Sequence, residues 1–291
     1  MFEGVLPAVI TPFQRNSSMD LDLPGLASNL EFLIENGVHG IVPCGSTGES
    51  ATLSFEEHET VIEKTIEVVN GRVPVIAGTG SNNTAEAVRF TQAAKDLGAD
   101  GVLVISPYYN KPNRSGLVKH YTILADLDIP VIVYNVPGRT GQNLPPDLVV
   151  ELAKHPNIVG IKEASGDIGQ ISRIIEGTLD EEFQVISGDD NLTFPILALG
   201  GSGVISVAAN VEPGRMVAMF EAFCESDFET ALDLHYELSP LFRSMFIDTN
   251  PIPVKKAVEL RGMAAGPVRL PLDELDHEKT SRLREVLACY D

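Results

Sequence analysis

Asn157-Ile158-Val159-Gly160-Ile161-Lys162 is a continuous apolar, β-branched run that ends in an ammonium. Apolar residues that run on, rather than alternating with polar ones, mark a strand covered on both faces, as in a parallel sheet flanked by helices. Seven more short segments of this character begin near Val5, Ile41, Val73, Val102, Val131, Val185 and Val204, each closed by Gly, Pro, Ser or Asn. Between them lie helical spacings of three and four: Leu26, Leu30 and Leu33; Val61, Ile62, Ile66 and Val69; Leu148, Val149 and Leu152. Ser54 with Glu57 reads as a capping box, and Gly37, Gly71 and Gly98 stand where helices should end. Eight such units in roughly 210 residues suit a closed (β/α)8 barrel of the α/β class. A doubly wound open sheet would want a nucleotide fingerprint. Gly78-Thr79-Gly80-Ser81-Asn82-Asn83 lacks its third glycine, so Gly78 and Gly80 are read as turn formers. From Pro213 onward the pattern is helical, with Met216, Met219, Phe220 and Phe223 on one face that should pack outside the barrel or against a partner subunit. The expectation is one domain over residues 1–291, with a barrel over about 1–212 and additional C-terminal helices over 213–291.

The 291 residues are 44% hydrophobic and 21% charged, without a linker-like or low-complexity stretch, which suits one compact unit. A formal net charge of -20 argues against nucleic acid and against an anionic membrane as partners, since both would be repelled. It also requires that a site for an anionic substrate carry its own positive charge. Cys44, Cys224 and Cys289 are too few and too scattered for a disulfide framework or a Cys-x-x-Cys metal site, and imply a reducing, cytoplasmic setting. No basic segment precedes Gly4-Val5-Leu6-Pro7, and no apolar run approaches the roughly 18 residues that span a bilayer, so a soluble protein without a leader is expected.

In a barrel, function collects at the carboxyl ends of the strands, and there this sequence turns reactive. Alternation places Ile158, Gly160 and Lys162 on one face, and Pro130, Ile132 and Tyr134 on one face of the preceding strand. With strands about 4.8 Å apart, an inward Lys162 and an inward Tyr134 meet at the mouth, and Gly160 should leave room for the lysine stem or a substrate. Burial favours the neutral amine, which attacks carbonyls; the competing reading is a strand-end lysine snorkelling to water. A phenol beside it can deliver a proton to a departing carbinolamine oxygen and remove one beside the imine, or simply be a core tyrosine with a satisfied hydroxyl. Ser46 and Thr47, in the Gly45–Gly48 loop, can hydrogen-bond a carboxylate or pass protons, and the fork of Arg139 matches a carboxylate. The six histidines show no His-Glu-x-x-His spacing, and Asp189, Asp190 and Glu163 make no convincing cation site, so no metal is predicted. The loop 208–213 lacks the glycines of a barrel phosphate site, which points to substrates without phosphate.

At these residues the chain resembles the dihydrodipicolinate synthase family, within the superfamily that includes N-acetylneuraminate lyase, over nearly its whole length. The resemblance is carried by Gly45-Ser46-Thr47-Gly48-Glu49-Ser50, Pro107-Tyr108-Tyr109-Asn110, Tyr134-Asn135-Val136-Pro137-Gly138-Arg139-Thr140-Gly141, Gly160-Ile161-Lys162-Glu163-Ala164, Ser187-Gly188-Asp189-Asp190 and Asn250-Pro251-Ile252-Pro253-Val254-Lys255, in that order. It implies that Lys162 forms a Schiff base with pyruvate, and that Tyr134 gives and takes protons in a relay with Ser46 and Tyr109. Thr47 and the Ile205 backbone would hold the pyruvate carboxylate. Arg139 would hold the carboxylate of L-aspartate 4-semialdehyde, and Gly188 falls among the substrate-binding positions.

The implied reaction joins the two substrates in diaminopimelate and lysine biosynthesis with no external cofactor, because the lysine imine is the electron sink. The tyrosine matching Tyr109 reaches in from a neighbouring subunit in that family, which implies a homotetramer built as a dimer of dimers. Ser50, Ala51, His58, Asn82, Glu86 and Tyr108 match the polar lining of the family's L-lysine inhibition pocket, while Phe55 stands where some inhibited relatives have histidine. Ser46 replaces the threonine usual in the synthases, as in the neuraminate lyases, whereas Arg139 points back to the synthases. The alternatives are another pyruvate-dependent aldolase, acting on 2-keto-3-deoxygluconate or N-acetylneuraminate, and a catalytically silent regulatory barrel. Keeping Lys162, Tyr134, Thr47 and Arg139 together weighs against the last.

Overall fold

A computed structural model describes residues 2–291. Seven strands are named here β1 (Gly4–Pro7), β2 (Ile76–Gly78), β3 (Gly101–Ile105), β4 (Val131–Asn135), β5 (Ile158–Glu163), β6 (Gln184–Ser187) and β7 (Gly203–Ser206). All neighbouring pairs are parallel, in the order β1-β7-β6-β5-β4-β3-β2. The two ends of that row do not stay open. Segment 41–43 lies between them: Val42 N–H donates to Pro7 O and Ile41 N–H to Pro74 O, both at 2.9 Å, and Val42 O and Ile41 O accept from Val9 and Ile76. The ring is therefore an eight-membered (β/α)8 barrel, with its second strand reduced to parallel bridges. The expected strand near Ile41 is this short because Pro43 has no N–H to give and Cys44 turns the chain into the left-handed region at φ 55°. The strand expected near Val73 begins only at Ile76, past Pro74.

Inward residues Leu6, Val42, Ile76, Leu103, Ile132, Ile186 and Ile205 fill the barrel, with Tyr134 above them. Outward residues such as Val5, Ile41, Val104, Val133 and Ile161 pack against the helices. The spacings of three and four fall on those helices, in Leu23–Glu35, Phe55–Val69 and Pro146–Leu152, where all the cited positions are buried except Ile66, which packs against the same core from a half-buried site. Ser54 and Glu57 form the capping box, and Gly98 caps Thr84–Leu97 at φ 95°. The helix Pro213–Cys224 packs against β1 and against Phe228–Ser244, with Met216 and Met219 buried and Phe220 against the outer core.

Three glycine and facing expectations are corrected. Val131 pairs with Ile158 but Ile132 pairs with Gly160, so Val159 is an extra residue, a bulge. Strict alternation fails across it, and Ile158 joins the outer core while Gly160 and Lys162 keep their inward side. Gly160 does not make room for the lysine: a Cβ there would lie 2.7 Å from Gln184 O, so the glycine lets β6 approach. Gly78 and Gly80 are not turn formers either, since a Cβ would lie 2.3 Å from Cys44 O and 2.4 Å from Ile105 N. Both are sites where one backbone comes up against another.

Candidate active site

The register β4–β5 pairs Tyr134 directly with Lys162, and the bulge precedes both, so neither is turned away from the mouth. Lys162 is 5% exposed and Tyr134 is 7% exposed, with the ammonium nitrogen 4.5 Å from the phenol ring centre. Snorkelling is thereby set aside. Burial pushes the Lys162 amine down to about 7, and Arg139 adds to this, while the buried Asp190 carboxylate opposes it. Burial lifts the Tyr134 phenol to about 12, against the pull of Arg139. Near neutral pH the site thus holds a half-neutral amine beside a phenol that keeps its proton.

Gly188, following β6, supplies the space first ascribed to Gly160. A Cβ on it would lie 3.1 Å from Lys162 Cε, 3.1 Å from Glu163 O and 2.8 Å from the Ala164 methyl. Behind Lys162 lie two buried carboxyls, of which Asp190 keeps one oxygen, Oδ1, without a hydrogen-bond partner. Asp190 Oδ2 accepts from the N–H groups of Val207 (3.1 Å) and Ala208 (2.9 Å). Glu163 accepts from Asn135 Nδ2 and from Ser165 N–H, within a chain that continues to Asn143 and Gln170. Both carboxyls are pushed up by burial, Asp190 to about 6. Among the described residues no group of three His, Cys, Asp or Glu stands in a metal-binding arrangement.

The mouth opens into a cavity of about 580 Å³. Its wall includes Ser46, Tyr134, Arg139 and Asn250, and also Ser50, Ala51, His58, Glu86 and Tyr108. Lys162 and Thr47 are not on this wall; they lie just behind it, as does Ile205 inside the barrel. Thr47 is 3% exposed and its Oγ1 accepts from Asn250 Nδ2 at 2.9 Å. Arg139 is exposed at the cavity, donates to Asn250 O at 2.8 Å, and faces no carboxylate within salt-bridge reach among the described residues. Tyr109 stands apart from the cavity, 89% exposed on a left-handed backbone at φ 72°. Of the six residues matched to an L-lysine pocket, Asn82 alone is off the cavity wall; its carbonyl accepts from Asn110. His58 is buried, bonded through Nε2 to Gly78 O, and pushed down to about 4 by burial. Glu86 is held by the Ser81 hydroxyl, and Phe55 stacks under the Arg89 guanidinium.

Asn250 and Lys255, at the two ends of the Asn250-Pro251-Ile252-Pro253-Val254-Lys255 motif, have contacts that the linear sequence does not disclose. Lys255 is buried under the cavity wall with a complete set of three acceptors, Glu49 Oε1 (2.7 Å), Thr11 O (3.0 Å) and Pro267 O (2.6 Å), and lies 4.3 Å from the Phe13 ring centre. Glu49 Oε2 accepts from Arg269 N–H. This pair ties the Gly45–Ser50 loop to the C-terminal part of the chain, and a separation of 206 positions hides it from a linear reading.

A parallel barrel with a buried amine and a buried phenol side by side at the carboxyl-end mouth has the layout of the (β/α)8 enzymes. Residues 1–289 match the model of the Dihydrodipicolinate synthetase family, and the chain belongs to that family. It is 76% identical over 290 residues to a 4-hydroxy-tetrahydrodipicolinate synthase of Methanoculleus marisnigri, each chain being covered completely. Among solved structures it is similar to a dihydrodipicolinate synthase from Aquifex aeolicus, with a TM-score of 0.96 and 48% identity over 99% of this chain and 98% of that one. It is also similar to the enzyme of Cyanidioschyzon merolae with lysine bound, with a TM-score of 0.95 and 40% identity over 99% and 98%.

Proposed function

We propose that this chain, like its relatives named 4-hydroxy-tetrahydrodipicolinate synthase, is a lyase, that it condenses pyruvate with L-aspartate 4-semialdehyde, and that Lys162 is its nucleophile. The observation that carries the reading is the Lys162 amine, buried against Tyr134 and lowered to about 7. The neutral amine adds to the pyruvate C2 carbonyl, and Tyr134, protonated at working pH, delivers the proton that lets the carbinolamine oxygen leave as water. Loss of a methyl proton then gives the enamine, whose carbon attacks the aldehyde. The semialdehyde's own amine finally adds to the imine carbon, closes the ring and returns Lys162. Thr47 and the Ile205 backbone are read as the holders of the pyruvate carboxylate, with Gly188 leaving the lysine stem its space. Arg139, without a carboxylate partner, is read as the receptor of the semialdehyde carboxylate.

Three further parts complete this reading. Tyr109 projects from the surface on a strained backbone, which fits a side chain that completes the relay of Tyr134 and Ser46 in a neighbouring subunit of a homotetramer. Residues 1–291 act as one domain, since Asn250 and Lys255 from the C-terminal part reach the Thr47 loop. The part of the cavity wall made by Ser50, Ala51, His58, Glu86 and Tyr108 takes L-lysine as an inhibitor, lysine being the ligand bound to the Cyanidioschyzon merolae enzyme. No helix is long and apolar enough to cross a membrane among the described residues, which accords with a cytoplasmic enzyme.

The deciding experiment offers the protein pyruvate with L-aspartate 4-semialdehyde and, in parallel, the cleavage substrates N-acetylneuraminate and 2-keto-3-deoxygluconate. The synthase reading expects high kcat/KM with the semialdehyde alone. Comparable or better turnover of either sugar acid would replace it with the aldolase reading.

A further inference from the structure

Asn250 is 6% exposed, lies on the cavity wall, and touches both of the groups read above as carboxylate receptors. Its side-chain Nδ2 donates to Thr47 Oγ1 at 2.9 Å across 203 residues of sequence, and its backbone oxygen accepts from Arg139 at 2.8 Å across 111. An amide nitrogen can only donate, and a hydroxyl has one proton. With Asn250 filling an acceptor position of Thr47 Oγ1, the threonine proton is not spent on its neighbour and is free to be donated elsewhere. Thr47 sits just behind the wall, and a carboxylate is an acceptor only. The direction of one hydrogen bond therefore decides whether Thr47 can bind an anion. Were Asn250 an acceptor at that position, the Thr47 proton would point to it, and the oxygen lone pairs would face, and repel, the incoming carboxylate.

We propose that Asn250 is a positioning residue that orients the Thr47 hydroxyl as a donor to the pyruvate carboxylate, and so sets pyruvate affinity without contacting pyruvate. This rests on the reading of Thr47 given above. The contact with Arg139 is made by the backbone carbonyl, so a change of side chain leaves it in place. The proposal therefore affects one substrate and spares the other.

The test is a double-mutant cycle of Asn250→Leu, Thr47→Val and the two together, with Asn250→Asp alone and on Thr47→Val. It reads KM for each substrate, kcat, the pyruvate concentration at half-maximal borohydride trapping, and the thermal midpoint. Each single Asn250→Leu or Thr47→Val change should raise the pyruvate KM by about 10- to 100-fold, the size of a hydrogen bond to a charged group, while KM for the semialdehyde moves less than about twofold. The double variant should be no worse than Thr47→Val alone. Asn250→Asp keeps the shape but only accepts; it should lose pyruvate affinity like Asn250→Leu, and lose nothing further on Thr47→Val.

Multiplying effects in either cycle overturn the proposal, as does a wild-type pyruvate KM in Asn250→Asp or an equal rise in both substrates' KM. If Asn250→Leu does not fold, the Asn250→Asp cycle decides alone. An unchanged pyruvate KM in Thr47→Val overturns the reading of Thr47 itself, which separates that failure from a failure of the Asn250 inference.

Discussion

The protonation of Lys162 makes a quantitative demand on the pH dependence of its reactivity. An amine of ordinary pKa 10.5 is neutral in only about one molecule in three thousand at pH 7; one lowered to about 7 is neutral in half, a gain of about a thousandfold in nucleophile. Burial is the main cause, Asp190 works against it and Arg139 with it. Competitive acetylation of the protein across pH 5–11, with the Lys162 peptide quantified by mass spectrometry, should show reactivity rising to a midpoint near 7 and level above about pH 8. Asp190→Asn, which keeps an oxygen for the Val207 and Ala208 N–H groups, should move the midpoint lower, because the opposing carboxylate is gone.

The same shift has a cost in stability. The unfolded chain binds more protons than the folded one between about pH 7 and 10.5, so this lysine's destabilisation is full below 7 and fades as pH rises toward 10.5. At about 1.4 kcal/mol for each tenfold, Lys162→Met should gain up to the order of 5 kcal/mol below pH 7 and nothing above 10.5. Reactivity still climbing tenfold per pH unit between 8 and 10, or a stability gain independent of pH, would refute the argument.

Two substitutions test the surroundings. Gly188→Ala would set a methyl 3.1 Å from Lys162 Cε and 2.8 Å from the Ala164 methyl; overpacking of about 1–3 kcal/mol is expected, with imine formation reduced at least tenfold, read by calorimetry beside borohydride trapping. Lys255→Met leaves Glu49 buried and unpaired and should cost about 3–5 kcal/mol in denaturant unfolding, while Lys255→Met with Glu49→Leu recovers most of it.

Lys162 and Tyr134 were legible in the sequence because inward facing is a matter of counting in twos, and the β4–β5 register places them side by side. The same count misassigned Ile158, since a bulge leaves no mark in a run where Val159 is as apolar as its neighbours. The second barrel strand was found by its β-branched residues but not its length, which Pro43 and the left-handed Cys44 cut to bridges. Glycines were the weakest point. Gly78, Gly80, Gly160 and Gly188 all mark close approaches, and only the folded chain shows which neighbour approaches: backbone at the first three, and at Gly188 the Ala164 methyl together with Glu163 O and the Lys162 stem. Asn250 and Lys255 were invisible as partners of Thr47 and Glu49, because neither helical nor strand periodicity links residues more than two hundred positions apart.

The claim on which all of this depends is that one buried amine condenses with pyruvate. Borohydride reduction of the intact protein with pyruvate, followed by peptide mass mapping, should place a single reduced adduct on Lys162, absent without pyruvate and absent from Lys162→Ala, which should also lack turnover. An adduct on another lysine, or wild-type turnover by Lys162→Ala, would contradict the account.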